Sequence, residues 1–151
     1  MTGNGVRQGD NMSPVLFNVF LNDLVAELKE LNLGVDVGNK KVGILLYADD
    51  IVLIADKEGD LQQMLDHLYT WCCNWRLSIN TSKTQIVHFR NRRKDRTDFK
   101  FSFGENQLVV VENYKYLGIV LTEYLDYSQI AEVLSCAASR ALGSIISRTK
   151  N

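Results

Sequence analysis

Two adjacent carboxylates, Asp49 and Asp50, lie between two runs of large apolar residues in the stretch GILLYADDIVLIADK. Apolar runs of this length usually become interior strands, and a buried carboxylate without a partner costs roughly several kcal/mol. One interpretation is an ordinary turn, in which Asp is common because its side chain bonds to nearby backbone groups. The other is a metal site, because hard divalent cations such as Mg²⁺ bind carboxylate oxygens together with substrate phosphates.

The apolar runs predict two strands, residues 42–47 and 51–55, on either side of this pair. The link between them is too short for a crossover, so they must pair as an antiparallel hairpin. Both alternating sets of side chains are apolar, so we expect both faces of the hairpin to be covered. A hairpin held in this way would fix both carboxylates on rigid strands, as a catalytic metal site requires.

Apolar residues at helical spacing predict three helices, and Ser13-Pro14 and Gly34 mark the two ends of the first. Helices and strands do not alternate as in parallel βαβ units. The predicted fold class is therefore α+β, with an antiparallel sheet, packing helices and a helix at the end of the chain. The predicted helices are residues 14–33, 60–77 and 128–147, and the further strands are residues 35–37, 85–89, 99–103, 107–111 and 114–121.

The composition is that of a globular domain, with 46% hydrophobic residues and a formal net charge of -1. The net charge therefore gives no indication of a nucleic-acid partner. Three cysteines form no even-numbered disulfide framework, which favours an intracellular setting, in the cytoplasm or nucleus. The first residues lack the apolar core of a secretory signal, and no run approaches the roughly 18 to 20 apolar residues of a membrane span. We expect neither secretion nor a membrane partner.

The YADD sequence of residues 47–50 resembles the catalytic signature of reverse transcriptases. Three more segments resemble neighbouring motifs of that family, in the family's order, and are most similar to enzymes of retrotransposons that lack long terminal repeats. The resemblance covers nearly the whole chain and implies part of a polymerase palm, with an RNA template, a DNA primer and dNTPs as partners. The three segments are GVRQGDNMSPVLFNVFLNDL at 5–24, LSINTSKTQIVHF at 77–89 and YKYLGIVL at 114–121.

The resemblance implies two Mg²⁺ ions, roughly 4 Å apart, that serve the attacking and leaving oxygens of a phosphoryl transfer. Asp49 matches the direct metal ligand of the YADD motif. Asp50 matches its neighbour, whose role as a ligand the motif leaves open. Tyr47 would lie close to the end of the primer.

The loop before the first predicted helix matches the family's substrate-binding positions. Gln8 and Gly9 match positions that contact the incoming nucleotide and the template, and Arg7 would meet a phosphate. A glycine suits such a place because a backbone without Cβ allows close approach. The alternative is a polar loop that leads into the helix.

Two later segments match positions near the reacting groups. Lys83 resembles a lysine beside the departing pyrophosphate, where an ammonium neutralises charge or donates a proton. An ordinary surface lysine is the alternative. Tyr116, Leu117 and Gly118 resemble the hairpin that grips the primer, although Gly118 also suits simple strand geometry.

A charged segment lies between two predicted strands. It could contact a phosphate backbone or act as a nuclear import signal, and a solvated loop is the alternative. His67 does not have the spacing of a zinc site with Cys72 and Cys73. The basic residues of the charged segment are Arg90, Arg92, Arg93, Lys94 and Arg96.

Reverse transcriptases carry a third catalytic carboxylate on an earlier strand, and the resemblance assigns that role to no residue of this chain. We therefore expect a fragment, with residues 1–103 as a partial palm and residues 104–151 as a primer-grip-like hairpin and a C-terminal helix that begins a thumb or connection. Metal binding should be weak or absent, and the chain alone should not polymerise DNA. The unfinished sheet edge should favour self-association.

Two other interpretations are open at this point. The chain could be a non-catalytic module that has kept the palm in order to bind nucleic acid or protein. It could also be an unrelated α+β domain with an acidic turn. Primer extension on an RNA template with Mg²⁺ separates a polymerase from both.

Overall fold

The computed structural model describes residues 13–125, with side chains from Val19 onward, and four later residues, Ala131, Ser135, Cys136 and Ser139. The chain divides into two compact units. Unit 1 comprises residues 1–79 and 101–107, and unit 2 comprises residues 80–100 and 108–151. These two units are defined by the compactness of the fold and not by function. The functional division into residues 1–103 and 104–151 stays a prediction.

The first described element of unit 1 is helix α1, Ser13–Glu30, which buries Leu21, Leu24 and Leu28 along one face. The helix ends earlier than the sequence predicted. Asn32 has a φ of 52°, and its amide donates to the Lys29 carbonyl at 3.0 Å. Asn is one of the few residues that tolerate this left-handed conformation, so it ends the helix in place of Gly34.

Gly34 instead allows two backbone segments to approach closely. It precedes strand β1, Val35–Val37, which pairs antiparallel with strand β2, Lys40–Val42. Gly34 is buried, has a φ of +132°, and a Cβ at this position would lie 2.5 Å from the Val42 carbonyl oxygen. Val42 therefore belongs to this first hairpin, whereas the sequence placed it in the next one.

The hairpin that carries the paired carboxylates consists of strand β3, Ile44–Tyr47, and strand β4, Asp50–Leu53. The strands are antiparallel, as predicted, with Tyr47 opposite Asp50. The Ile54 amide donates to the Gly43 carbonyl at 2.8 Å and extends the ladder beyond the last strand pair. Among the described residues, β3 and β4 pair only with each other.

Helix α2, Glu58–Asn74, supplies much of the core of unit 1. Its buried residues recur at helical spacing, which confirms the predicted amphipathic helix. Trp71 is buried and its ring centroid lies 5.1 Å from that of Phe20, while Trp75 is half exposed at the edge. The buried residues of α2 are Met64, Leu65, Leu68, Trp71 and Cys72.

A short hairpin packs against α2 through the side chain of Gln62. The hairpin consists of strands β6, Ser102–Phe103, and β7, Asn106–Gln107. The Ser102 amide donates to Gln62 Oε1 at 2.9 Å, and Gln62 Nε2 donates to the Ser102 carbonyl at 3.0 Å. The side-chain amide thus bonds to Ser102 as a neighbouring strand would.

Replacing Gln62 by alanine should leave both backbone groups of Ser102 without these bonds. We expect a loss of about 1 to 3 kcal/mol in the free energy of unfolding, because unsatisfied polar groups that are partly buried are costly. Urea unfolding measures the loss, and hydrogen exchange of the Ser102 amide locates it. The matched control is Gln63→Ala at an exposed neighbouring position. Equal effects of the two substitutions would show that the amide contacts are unimportant.

The described residues of unit 2 form one parallel and one antiparallel strand pair. Strand β5, Gln85–Val87, pairs parallel with strand β8, Val109–Val111, and this corrects the prediction of an antiparallel sheet for these two strands. The long connection of residues 88–108 makes parallel pairing possible. Among the described residues of unit 2, Ile86 and Leu108 are the buried apolar side chains.

The segment predicted as a single strand, residues 114–121, turns back on itself. Strand β9, Asn113–Tyr116, and strand β10, Ile119–Thr122, form an antiparallel hairpin with Tyr116 opposite Ile119. Leu117 and Gly118 make the turn with φ values of 48° and 83°. Positive φ at both central positions gives the twist that a two-residue hairpin requires.

Two helices and five two-stranded ladders in the described residues confirm the α+β class. The predicted C-terminal helix, residues 128–147, lies largely outside the described residues. Its four described positions, Ala131, Ser135, Cys136 and Ser139, are helical. No helix within the described part of the chain is long and apolar enough to cross a membrane.

Candidate functional site

The turn of the β3–β4 hairpin holds the two carboxylates at adjacent but different backbone positions. Ala48 and Asp49 form the turn, and Asp50 is already the first residue of β4. Ala48 has a φ of 52°, a left-handed conformation that costs a residue with a Cβ about 1 to 2 kcal/mol. The strand pairing on both sides holds this conformation, and the turn therefore presents Asp49 at the tip of the hairpin.

Tyr47 and Asp50 share one face of the hairpin, because directly opposite residues in an antiparallel pair project to the same side. This face is open. Tyr47 is 61% exposed, Leu45 is 44% exposed, and both aspartates are exposed. The prediction that both faces are covered is therefore wrong for this chain. The opposite face of the β3–β4 hairpin is half-buried, and β4 packs against α2 in unit 1.

The donor set at the tip suits a hard cation but is small. Exposed carboxylate oxygens are what Mg²⁺ uses together with substrate phosphates. Within residues 13–125, no third histidine, cysteine or carboxylate joins Asp49 and Asp50 to make a larger ligand cluster. The pair can therefore supply part of the coordination of a metal ion.

Lys83 lies in unit 2, at a turn that precedes β5. Asn80 organises this turn, because its carbonyl accepts from the amides of Lys83 and Thr84, each at 3.1 Å. The Asn80 side chain accepts from the Ser82 hydroxyl at 2.6 Å. The Lys83 side chain is exposed. The backbone of this turn is thus held by hydrogen bonds, while the Lys83 side chain is exposed to solvent.

The predicted primer-binding residues meet at the tip of the β9–β10 hairpin in unit 2. Tyr116 ends β9, and Leu117 and Gly118 form the turn. Leu117 is half exposed, and Gly118 has open space around it. Arg7, Gln8 and Gly9, the predicted nucleotide- and template-binding residues, lie outside the described residues.

Unit 2 also contains a buried carboxylate, Glu123. It receives hydrogen bonds from two guanidinium groups, Arg96 Nε at 2.9 Å and Arg90 Nη2 at 3.0 Å. Its side chain is 5% exposed and that of Arg90 is 11% exposed. Hydrogen bonds from Arg96, and then from Arg90, lower the pKa of Glu123 from 4.5 to about 2.

Protonation of Glu123 should destabilise unit 2 in acid. The folded pKa is about 2 and the ordinary value is 4.5, so the unfolded chain takes up the proton first. The stabilisation is complete above pH 4.5 and is lost as the pH falls towards 2. We expect the melting temperature to fall across this window in the wild type and to change less in Glu123→Gln. Glu112→Gln, at an exposed partner of Arg96, is the control.

A similar pH profile in wild type and Glu123→Gln would assign the acid sensitivity to other carboxylates. Calorimetry at several pH values makes the comparison. Glu123→Gln should also melt at a lower temperature at pH 7, because the two guanidinium groups lose their shared partner.

The sequence interpretation did not identify Glu123. It treated Arg90 and Arg96 as candidates for phosphate contact, and the structure places both against this carboxylate instead. A signal was available, because a dense basic segment needs counter-charge and few acids lie within it. The residue that provides the counter-charge is more than twenty positions later in the chain, so the sequence alone does not show the pairing.

Comparisons with known proteins add an independent finding. The family described as reverse transcriptase (RNA-dependent DNA polymerase) matches residues 1–121. The chain is 31% identical over 128 residues to a retrovirus-related Pol polyprotein from the type-1 retrotransposable element R2 of Nasonia vitripennis, with 80% of this chain and 12% of that protein covered. It is 30% identical over 129 residues to the RNA-directed DNA polymerase from mobile element jockey of Drosophila funebris, with 82% and 13% covered.

These relatives are much longer proteins, and this chain spans about an eighth of their length. A comparison with solved structures returns no match. The family match nevertheless covers α1, α2 and the β3–β4 hairpin, and it reaches Leu121 in β10. Since the match covers most of the chain, the chain belongs to the reverse transcriptase family, the RNA-dependent DNA polymerases.

Proposed function

We propose that this chain is the part of a mobile element's RNA-directed DNA polymerase that carries the metal-binding YADD hairpin of the palm. The observation that carries the proposal is the position of Asp49 and Asp50 at the exposed turn of a paired hairpin in a member of this family. The reaction is template-directed nucleotidyl transfer from a dNTP to the end of a DNA primer, with RNA as the template.

Asp49 and Asp50 are the residues that would hold Mg²⁺. Their oxygens are hard ligands, and their exposure leaves room for water and substrate phosphates to complete the coordination. A bound ion would supply charge stabilisation for the phosphoryl group under attack. Asp49 at the tip is the main ligand in this proposal, and Asp50 supports it from the first position of β4.

Tyr47 is proposed to contact the end of the primer. It shares the open face with Asp50, and 61% of its surface is available to a ligand. An aromatic ring in this place can pack against a sugar or base next to the reacting hydroxyl. Arg7, Gln8 and Gly9 are proposed to contact the nucleotide and template, on the basis of the motif alone.

Lys83 and the β9–β10 turn are proposed to act from unit 2. An exposed ammonium on a hydrogen-bonded turn suits Lys83 to neutralise or protonate a departing pyrophosphate. Tyr116, Leu117 and Gly118 are proposed to contact the primer backbone. The open space around Gly118 allows a nucleic-acid strand to approach this turn closely.

The catalytic site of the whole polymerase is proposed to need a third carboxylate beyond the two on the hairpin. We therefore expect the 151-residue chain alone to bind Mg²⁺ weakly and to extend no primer. The open hairpin face, with Leu45 and Tyr47 exposed, supports a tendency of the isolated chain to self-associate.

Primer extension on a poly(rA) template with an oligo(dT) primer tests the proposal. A polymerase of the relatives' length that contains this segment should incorporate dTTP in the presence of Mg²⁺. The 151-residue chain alone should not incorporate it. Failure of the long protein to incorporate would contradict the proposed function, and incorporation by the short chain would contradict the proposed third carboxylate.

A further inference from the structure

The base of the β9–β10 hairpin carries a carboxylate on each strand. Glu112 precedes β9 and Glu123 follows β10, and the Glu123 amide donates to the Glu112 carbonyl at 2.8 Å. The Glu123 side chain is 5% exposed, whereas that of Glu112 is 71% exposed. Like charges at opposite positions of two strands repel each other, so this base requires counter-charge.

Arg96 supplies counter-charge to both strands at once. Its Nε donates to a Glu123 carboxylate oxygen at 2.9 Å, and its Nη2 lies 3.0 Å from a Glu112 carboxylate oxygen. A guanidinium can hold two carboxylates in this way because its donors have a fixed planar arrangement. Arg96 thus joins the ends of both strands to the connection that follows β5.

Arg90 binds the same base through its backbone and its side chain. Its amide donates to the Glu123 carbonyl at 2.7 Å, and its Nη2 donates to a Glu123 carboxylate oxygen at 3.0 Å. The side chains of Arg90 and Glu123 are both almost fully buried, so water competes little for these bonds. Because Arg90 comes shortly after β5, the bonds link the hairpin to the β5–β8 pair. We refer to Glu112, Glu123, Arg90 and Arg96 together as the base network.

The turn of the hairpin lies well away from the base network. Four residue pairs separate them, which corresponds to about 14 Å at about 3.4 Å per residue. A two-stranded hairpin is marginally stable by itself in water, and among the described residues β9 and β10 pair only with each other. The direction in which the hairpin projects therefore depends on the base network, together with the contact between β9 and β5.

We propose that Glu123 is a positioning residue for the primer. Through the base network it fixes the direction of the β9–β10 hairpin, and so the place of the turn. The inference rests on the proposed function, in which Tyr116, Leu117 and Gly118 contact the primer backbone. Glu123 is buried and acts only through this turn. A displaced turn would bind the primer less well, while the YADD hairpin of unit 1 keeps its own contacts.

Steady-state primer extension on poly(rA) with oligo(dT), by a polymerase of the relatives' length that contains this segment, tests the positioning role. Glu123→Gln keeps the size of the side chain and removes the charge that holds the two guanidinium groups. We expect KM for the primer–template to rise roughly fivefold or more, while kcat and KM for dTTP stay within about twofold.

Two other causes give different results in this assay. A loss of folded enzyme alone would lower kcat and leave KM for the primer–template unchanged. A bulk charge effect alone would lower that KM, because Glu123→Gln makes the protein less negative and favours binding of a polyanion. An unchanged or lower KM for the primer–template in Glu123→Gln would therefore overturn the proposal.

Asp98→Asn is the matched control, because it removes the same charge from an exposed position of unit 2. KM for the primer–template should stay within about twofold of the wild type, and a rise equal to that of Glu123→Gln would overturn the proposal. Arg96→Lys is a second variant that keeps the charge but lacks the planar fork that bridges Glu112 and Glu123. It should raise KM roughly threefold, and an unchanged KM would also count against the proposal. Circular dichroism verifies that each variant is folded.

A double-mutant cycle tests whether Glu123 acts through the turn. Leu117→Asn removes an apolar side chain from the turn and keeps its left-handed conformation, which Asn tolerates. It should raise KM for the primer–template by itself. Adding Glu123→Gln to Leu117→Asn should then raise KM by less than about twofold more, because the two changes affect one contact.

Multiplicative effects of the two substitutions would show that Glu123 acts independently of the turn and would overturn the positioning role. Failure of the wild-type polymerase to extend the primer would contradict the proposed function and this inference with it. Extension by the wild type, with no rise in KM for the primer–template in folded Glu123→Gln and Arg96→Lys, would overturn this inference alone.

Discussion

Replacing Asp49 by asparagine in a polymerase that contains this chain is expected to reduce nucleotide incorporation by about a thousandfold or more. The substitution keeps the size of the side chain but removes the negative charge that would hold Mg²⁺. A bound metal ion contributes several kcal/mol of transition-state stabilisation, and each 1.36 kcal/mol corresponds to about tenfold in rate. Primer extension under single-turnover conditions measures the loss.

A loss of folding is not expected to explain this effect, and the melting temperature checks the point. Asp49 is exposed in the turn, and its replacement relieves repulsion from Asp50. The melting temperature of the isolated chain should therefore be unchanged or slightly higher in Asp49→Asn. Asp50→Asn should reduce incorporation less, because Asp50 is the first residue of β4 and is proposed as a secondary metal ligand, whereas Asp49 at the tip is the main one.

Asp56→Asn is the matched control for both substitutions. Asp56 is an exposed carboxylate of unit 1 that follows the hairpin, and its loss changes the net charge equally. It should leave incorporation within about twofold of the wild type. Incorporation by Asp49→Asn at the level of Asp56→Asn would refute the role of Asp49 as a metal ligand.

Replacing Gly34 by alanine is expected to lower the free energy of unfolding by about 3 kcal/mol or more, because two penalties combine at this residue. Its φ of +132° is a strained conformation for a residue with a Cβ, which costs about 1 to 3 kcal/mol. The added Cβ would also lie 2.5 Å from the Val42 carbonyl oxygen and 2.8 Å from the Gly43 Cα, and such overpacking costs about 1 to 3 kcal/mol.

The same substitution should disturb the base of the β3–β4 hairpin. Gly43 leads directly into β3, and its carbonyl accepts from the Ile54 amide at 2.8 Å. A shift of Gly43 away from the added methyl group would strain this bond. Urea unfolding measures the loss of stability, and hydrogen exchange of the Ile54 amide reports the local effect.

Gly38→Ala provides the control on the same β1–β2 hairpin. Gly38 has a φ of +60°, but a Cβ there would meet nothing within 4 Å. Only the conformational penalty applies, and we expect a loss of about 1 to 2 kcal/mol. Equal losses at Gly34 and Gly38 would show that the close approach to Val42 is not a determinant of stability.

Local patterns predicted most of the elements correctly. The hydrophobic spacing of α2 and the short link between two apolar runs each require one structure over a few residues, so the helix and the carboxylate hairpin were both predictable. The YADD motif and its neighbours predicted the family, which the match over residues 1–121 confirms. The roles of the individual site residues stay predictions.

Element ends were less predictable, because they depend on backbone conformation. Gly34 is a good residue to end a helix, yet Asn32 ends α1 and Gly34 serves a close backbone contact. In the same way, YKYLGIVL has the apolar content of one strand, but the positive φ values at Leu117 and Gly118 divide it into two. Several residues of each segment suit both outcomes, and packing selects one of them.

The sequence was therefore sufficient for the class of fold, the carboxylate hairpin and the family, since each depends on residues close together in the chain. Long-range packing set the open face that Tyr47 shares with Asp50, the parallel pairing of β5 with β8, and the burial of Glu123 between Arg90 and Arg96. Each of these depends on partners or coverage that residue types alone do not specify. The charge and hydrophobicity of a side chain indicate whether it requires an ion-pair partner or burial. The tertiary structure determines which distant residue provides it.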